Sequence, residues 1–353
     1  IKIMIKIKSR IISSKNRPFI IAELSGNHNG LISNALKLVD LAAKSGVDAI
    51  KLQTYTPETI TLNSNKKDFL IKDNKNPWKK NRNLFQLYKK AHTPWSWHKK
   101  IFDRAKKHKL IYFSSPFDET AVDLLERLGA QVYKIASFEI TDIPLIEYAA
   151  KTMKPIIIST GIAEVKDIEL AIETCKKVGN NDITILKCTS AYPADPIDAN
   201  LLTIPDIKSR FGVKAGLSDH TMGIEGPVVA TVLGATVIEK HFILDKSIGG
   251  PDAHFSLDEK EFTEMVKAVR TAEKMIGKAD YEMTEKKKKS RQFSRSLFVV
   301  KDIKAGEVIT KENVRSIRPG YGLHPKYYSE IIGKNFKKDI ERGTPISFEL
   351  ITK

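Results

Sequence analysis

From residue 19 onward, short runs of branched apolar residues alternate with longer stretches whose apolar positions recur at three- and four-residue spacing. The short runs are FIIAEL (19–24), AIKLQT (49–54), IYFSSP (111–116), VYKIAS (132–137), PIIIST (155–160), ITILKC (183–188), KAGLSD (214–219) and VIEKHF (237–242). Several are continuous in Ile, Val and Leu, as expected of a parallel strand covered on both faces. The stretches between them, such as NALKLVDLAAKSG, ELAIETCKKVG and GPVVATVLGA, have the period of amphipathic helices, and some close on Gly. Eight strands, each followed by a helix, within about 260 residues predict a (β/α)8 TIM barrel of the α/β class. A doubly wound open sheet is the competing architecture. Against it, SGNHNG follows the first strand where a dinucleotide-binding turn would carry G-x-G-x-x-G.

The barrel is expected to occupy residues 1–280. Its opening IKIMIKIK alternates apolar and basic residues, the period of a half-buried strand, and lacks the apolar centre of a signal peptide. The longest insertion, 55–94, contains NPWKKNRNLFQLYKKAHTPWSW, whose aromatic content predicts a flap over the barrel mouth. Around KKKKSRQ the apolar periodicity stops, which predicts a solvated linker over 281–293. Residues 294–353 have short apolar pieces separated by Gly, Pro and Asn, the pattern of a compact domain of short strands and turns. A domain of about sixty residues is marginal alone and is expected to dock on a barrel.

The net charge of +17 raises the question of a nucleic-acid partner. The excess sits in three segments, 1–17, 65–110 and 286–295, and the rest of the chain is net acidic. No zinc-finger ligand set or aromatic RNA-binding signature accompanies them, so the basic segments read as lysine-rich surface and nucleic acid is not an expected partner. No run approaches the roughly 20 apolar residues of a membrane span, so no membrane role is expected either. Cys175 and Cys188 lie in different apolar segments, without disulfide or metal-ligand spacing, and a reducing cytoplasm is the expected compartment.

Polar and ionisable residues collect at the C-terminal ends of the strands, the face that carries TIM-barrel active sites. They are Glu23 on the first; Lys51 and Gln53 on the second; Ser115 on the third; and Lys134, Ser137 and Glu139 on the fourth. Ser159 ends the fifth, Ser190 and Tyr192 follow the sixth, Ser218, Asp219 and His220 lie at the seventh, and Glu239 and His241 on the eighth. Each alone has an ordinary explanation as a cap or turn residue; their concentration at one end carries the inference. His220 and His241, on neighbouring strands, can converge on one divalent ion and leave positions open for substrate oxygens, or be two structural histidines. Lys51 and Lys134 are buried cations that an anionic substrate would neutralise. The rival is a Schiff-base aldolase with one neutral, nucleophilic lysine.

The motifs IAELSGNHNG, DAIKLQTYTPETITL, YKIASFEI, IISTGIA, KCTSAYPA, GLSDHTMGIE and VIEKHFILDKSIGGPDAHFSL resemble, in this order, the sialic acid synthase family. The C-terminal segment is similar to that family's antifreeze-like (SAF, β-clip) domain. AELSGNHNG, KIASFE and KCTSAYPA look like the branch that makes pseudaminic acid. The N-acetylneuraminate and legionaminate branches, which use other N-acetylated hexoses, tend to carry KIGSGE- or KVPSGE-like fourth strands. The resemblance implies a transferase that joins phosphoenolpyruvate to an acetamido sugar. By the same resemblance His220 and His241 match ligands of a divalent metal, usually Mn2+, with Mg2+ or Co2+ as alternatives. Lys51, Ser115, Lys134, Ser137, Ser159 and Ser190 match phosphoenolpyruvate-binding positions, with Ser115 where Thr is common and Ser190 where the N-acetylneuraminate branch has Asn. Glu23 is the expected general acid–base, and Gln53, Glu139, Tyr192 and Asp252 are expected near the sugar. Arg318, in IRPGYG, matches an arginine lent to the partner's active site, which implies a domain-swapped homodimer. A non-catalytic sugar-binding protein is the remaining reading, because relatives of the C-terminal domain include ice-binding proteins.

Overall fold

Eight parallel strands close on themselves: β1 (Phe19–Glu23), β2 (Ala49–Thr54), β3 (Ile111–Pro116), β4 (Tyr133–Ile135), β5 (Ile156–Ser159), β6 (Ile183–Cys188), β7 (Lys214–Asp219) and β8 (Val237–His241). Closure comes from β8 against β1, in register from Val237 opposite Phe19 to His241 opposite Glu23. The structure, a computed structural model, describes residues 5–7, 10–12, 17–72, 78 and 83–352. The (β/α)8 expectation holds. β4 is shorter than its apolar run, because the chain turns into a 3-10 segment at Ser137–Glu139.

The period of two along each strand sorts the side chains into layers. Pointing inward are Phe19, Ile21, Ala49, Ile111, Phe113, Val132, Ile157, Leu186 and Val237, which plug the barrel. The same inward parity reaches Glu23, Lys51, Ser115, Lys134, Ser159, Glu239 and His241 at the other end. The outward set, including Ile20, Ile50, Ile135, Ile158, Ile185, Leu217 and Ile238, meets the buried faces of the helices. Burying each large aliphatic side chain contributes roughly 1.5–3 kcal/mol. Helix Ile32–Lys44 supplies Ala35, Leu38, Val39 and Ala42 to this layer. Helix Glu259–Ile276, started by a reciprocal Asp258–Glu261 cap, supplies Phe262, Met265, Val266 and Val269. In helix Trp95–Lys107, Ile101, Phe102 and Ala105 are buried while Lys99, Lys100, Lys106 and Lys107 face solvent.

Ile5–Ile7 pairs antiparallel with Arg10–Ile12; the expected half-burial there falls on side chains outside the described residues. Within the insertion, short helices form at Pro57–Ile60 and Leu84–Ala91. No helix of the described residues is long and apolar enough to cross a membrane. Cys175 and Cys188 are free and buried.

The chain divides into two compact units, Ile1–Gly277 and Lys278–Lys353. The second has an antiparallel pair, β9 (Ser296–Val299) with β10 (Val314–Ile317), over a core that includes Leu297, Val299, Val314, Ile331, Phe336 and Ile346. The stretch expected as a linker contains a helix, Glu285–Arg291. Thr284 caps it by accepting from Lys287 N, and Lys288 pairs with Glu285 at 2.8 Å. It buries no residue, so no apolar period announces it in the sequence.

Candidate active site

Four ionisable side chains meet where β1, β2, β4 and β8 open. Lys51 Nζ lies 2.7 Å from Glu23 Oε2 and 3.3 Å from Glu239 Oε1, and donates to Ser115 Oγ at 3.2 Å. Lys134 Nζ donates to Glu239 Oε1 at 2.9 Å, and Ser218 Oγ donates to the same oxygen at 3.3 Å. None of the four ionisable side chains is more than 5% exposed. Burial opposes charge on Glu239, but Lys134 and Lys51 outweigh it and hold the carboxyl down at about 2. Burial likewise opposes the Lys51 ammonium, yet Glu23 and Glu239 raise it above the ordinary lysine range. Glu23 rises above the carboxylate range: burial drives it, Lys51 pulls back, and Glu239 adds to the rise. Lys134 falls below the lysine range because burial, with Lys51 adding, exceeds the attraction of Glu239. Lys51 and Glu239 thus form the charged centre of the quartet, and Glu23 and Lys134 are the members pushed toward neutrality.

Beside the lysines, β4, β5 and β6 converge on a serine cradle. Gly161 N donates to Ser137 Oγ at 3.0 Å. A Cβ at Gly161 would overlap Ser190 Oγ and stand 2.8 Å from Ser137 Oγ, so only glycine lets this backbone lie against both hydroxyls. Ser159 Oγ is buried with no hydrogen-bond partner among the described residues. A buried polar atom left unpaired inside a cleft marks a place a ligand can complete.

The two histidines do converge. His220 and His241 have ring centroids 5.3 Å apart, and Phe255 packs edge-on against both. His220 Nδ1 is 3.0 Å from the Thr189 carbonyl oxygen, which can only accept, so Nδ1 carries the proton and Nε2 keeps its lone pair. Burial works against protonation of His220, but Cys188 and that carbonyl raise it above the ordinary value. His241 is held well below the ordinary value by burial, then by His220 and the lysines, and its buried Nδ1 has no hydrogen-bond partner among the described residues. Asp252 Oδ2 lies 4.0 Å from that nitrogen and accepts from Ser25 Oγ. Among the described residues no group of three or more His, Cys, Asp or Glu is arranged to hold a metal. Two imidazoles, one with a free Nε2 and one with an orphaned Nδ1, still fit a divalent ion whose other positions are left to oxygen ligands.

Around this centre Gln53 is half-buried, opposite Ser115 in the β2–β3 register. Glu139 is half-buried, and burial followed by the Asp142 carboxylate raises it to about 7. Tyr192 lies over His220 with centroids 4.6 Å apart, and Trp78 of the insertion lies 5.5 Å from Tyr192 and donates Nε1–H to the Pro251 carbonyl at 2.8 Å. One residue of the expected flap therefore reaches the mouth. Arg318 belongs to the second unit, where it is exposed just after β10. In the sequence Glu239 and Ser218 are strand-end groups with no assigned role. The parity of Glu239 with His241 was the available signal. Trp78 is signalled by the aromatic content of the insertion, whereas Ser25 and Phe255 carry no such signal.

The profile of the NeuB family matches residues 38–281, and that of the SAF domain matches 294–352. A pseudaminic acid synthase of Campylobacter jejuni subsp. jejuni serotype O:23/36 (strain 81-176) is 50% identical over 331 residues, 94% of this chain and 96% of that relative. A pseudaminic acid synthase of Helicobacter pylori (strain ATCC 700392 / 26695) is 49% identical with the same coverage. Among solved structures, the N-acetylneuraminic acid (sialic acid) synthetase of Leptospira borgpetersenii serovar Hardjo-bovis in complex with citrate superposes with a TM-score of 0.73 at 32% identity. The match covers 82% of this chain and 95% of that one.

Proposed function

The chain belongs to the NeuB family, and on that premise we propose that it condenses phosphoenolpyruvate with 2,4-diacetamido-2,4,6-trideoxy-β-L-altropyranose and water, giving pseudaminic acid and phosphate. The observation that carries this reading is the juxtaposition, at one barrel mouth, of two buried lysines, a serine cradle and a histidine pair. Its support for the particular sugar is the 50% identity to a pseudaminic acid synthase along nearly the whole chain.

In this reading Lys51, Lys134, Ser115, Ser137, Ser159 and Ser190 receive the phosphate and carboxylate of phosphoenolpyruvate. The anion would restore to Lys134 the charge that burial weakens. The C3 carbon of the enol bonds to the open-chain sugar's aldehyde carbon, whose oxygen takes a proton, while water adds to C2 and the C2–O bond to phosphate breaks. Glu23, which burial raises above the ordinary carboxylate range, moves a proton between water and the aldehyde oxygen. The two ammoniums stay in place as charge shifts between substrate oxygens, so they need no reorganisation during the reaction. His220 and His241 would hold a divalent ion, Mn2+ by family resemblance, which when bound supplies Lewis-acid polarisation of the aldehyde oxygen. Gln53, Glu139, Tyr192 and Asp252 contact the sugar. Arg318 reaches a partner's site in a domain-swapped homodimer. Two buried free thiols and a phosphorylated metabolite as substrate support a cytoplasmic location.

The test is to present the purified chain with phosphoenolpyruvate and a panel of amino sugars, following phosphate release and product mass. The expected product is the nine-carbon diacetamido acid. Preference for the 6-deoxy sugar over N-acetylmannosamine should be ~10–200-fold, the range that one hydrophobic contact supplies. Equal use of N-acetylmannosamine would move the chain to the N-acetylneuraminate branch. Absence of phosphate release with every sugar would leave a binding protein.

A further inference from the structure

Lys240 stands between Glu239 and His241 on β8, so its side chain points out of the barrel, away from the quartet and into the apolar layer under the helices. It is 0% exposed. Its Nζ lies 2.5 Å from Asp219 Oδ2 and donates to the Thr221 carbonyl oxygen at 2.6 Å. Asp219, outward on β7 and 3% exposed, accepts at Oδ1 from Thr221 N at 3.0 Å and from Thr221 Oγ1 at 2.8 Å. Helix Glu225–Val232 closes over the pair at Gly226. A Cβ there would stand 3.2 Å from both Asp219 oxygens and from Thr221 Oγ1.

These contacts bracket one residue. Asp219 precedes His220 and Thr221 follows it, and Lys240 holds the first by its carboxylate and the second by its carbonyl. Lys240 is itself the chain neighbour of His241. A buried ion pair among apolar groups adds little net stability over an apolar pair of the same shape. What it fixes is geometry: the turn that carries His220 is tied to the strand that carries His241.

We propose that the buried Lys240–Asp219 pair is a positioning element that sets the place of His220 relative to His241. Its consequence for metal binding rests on the reading of these histidines as a metal pair. Outer partners of metal ligands typically contribute 10–100-fold in affinity. The experiment uses the full chain and Mn2+ alone, titrated by the electron paramagnetic resonance of the free ion. The double variant Asp219→Asn/Lys240→Met removes both charges at similar volume and leaves no unpaired ion buried. Thr221→Val, which deletes one hydrogen bond to Asp219, is the milder variant. A second readout needs no metal: the position of the His220 imidazole resonances at one pH, assigned by their loss in His220→Ala.

The double variant is expected to weaken Mn2+ binding at least ~10-fold and Thr221→Val about 3-fold, with His220 resonances displaced in both. A folded double variant with Mn2+ affinity within about 2-fold of the parent and unmoved His220 resonances overturns the proposal. If the double variant does not fold, Thr221→Val decides by the same two readouts. If the parent itself binds no Mn2+, the metal reading fails, and the His220 resonances alone decide the positioning role.

Discussion

Glu139 titrates where the enzyme would work, and its two ionisation states have separable consequences. Burial, with Asp142 behind it, raises its carboxyl to about 7. Between the ordinary glutamate range and about pH 7 the folded chain therefore keeps a proton that the unfolded chain has released. Stability from this group is present at acid pH and lost as pH rises through that window. Glu139→Gln should remove the loss, so the variant gains on the parent in thermal unfolding midpoint between pH 5 and 8. Parallel curves would assign the pH dependence elsewhere. If the ionised form accepts from the sugar, KM for the sugar rises in the parent as pH falls below about 7 and stays flat in the variant. Lys134 gives a sharper test of chemistry. Its depressed ionisation is the one feature that favours a neutral, nucleophilic lysine, whereas its contact with Glu239 favours a cation. Lys134→Met should lower kcat/KM for phosphoenolpyruvate at least ~10²-fold, the usual loss when one electrostatic donor to the reacting anion is removed. Borohydride should trap no adduct on the parent; a reduced lysine–substrate adduct would install the aldolase mechanism instead.

Two glycines separate the cradle from the scaffold. Gly161 lies against the serine hydroxyls, whereas a Cβ added to Gly216, inside β7, would overlap the Val237 carbonyl oxygen and stand 2.7 Å from Leu186 Cδ2. Gly161→Ala is expected to raise KM for phosphoenolpyruvate at least ~10-fold with little change in unfolding midpoint. Gly216→Ala should instead destabilise by about 1–3 kcal/mol, the usual cost of overpacking, and leave the surviving enzyme's KM near that of the parent. Exchange of these two outcomes would mean that the cradle is not where phosphoenolpyruvate binds. The barrel that holds both glycines was legible because buried parallel strands are written as runs of Ile and Val. The strand-end residues were legible as a ring, because one parity carries apolar side chains at the bottom and ionisable ones at the top. What could not be read was pairing. Glu239 meets two lysines from other strands, and Lys240 finds Asp219 on the opposite face, contacts set by the stagger of the closed sheet. Helix Glu285–Arg291 is not legible for a different reason: it buries nothing, and only its Thr284 cap and an i,i+3 ion pair announce it.

That helix changes the reach available to the second unit, and with it the terms on which a swapped dimer can form. Sixteen residues from 278 to 293 would span up to ~50 Å if fully extended. With seven of them helical at 1.5 Å per residue the span falls to about 40 Å, still long beside the radius of a single barrel. A shorter and partly rigid connection narrows the set of positions the small domain can take, which lowers the entropy lost when it docks. Its core, Leu297, Val299, Val314, Ile331, Phe336 and Ile346 among others, is closed within the unit itself, so docking is not required to bury it. The case for exchange between chains therefore rests on Arg318, exposed after β10 and carrying a charge that an anionic substrate would meet. Arg318→Ala should impair catalysis without lowering the unfolding midpoint of either unit. The decisive measurement mixes an Arg318→Ala chain with an inactive His220→Ala chain under conditions where subunits exchange, with exchange monitored by native mass. If the arginine acts across the two-fold axis, one site of each mixed dimer pairs an intact histidine set with an intact arginine, and activity returns. Demonstrated exchange with activity still at background would place Arg318 at the mouth of its own barrel and end the swapped arrangement.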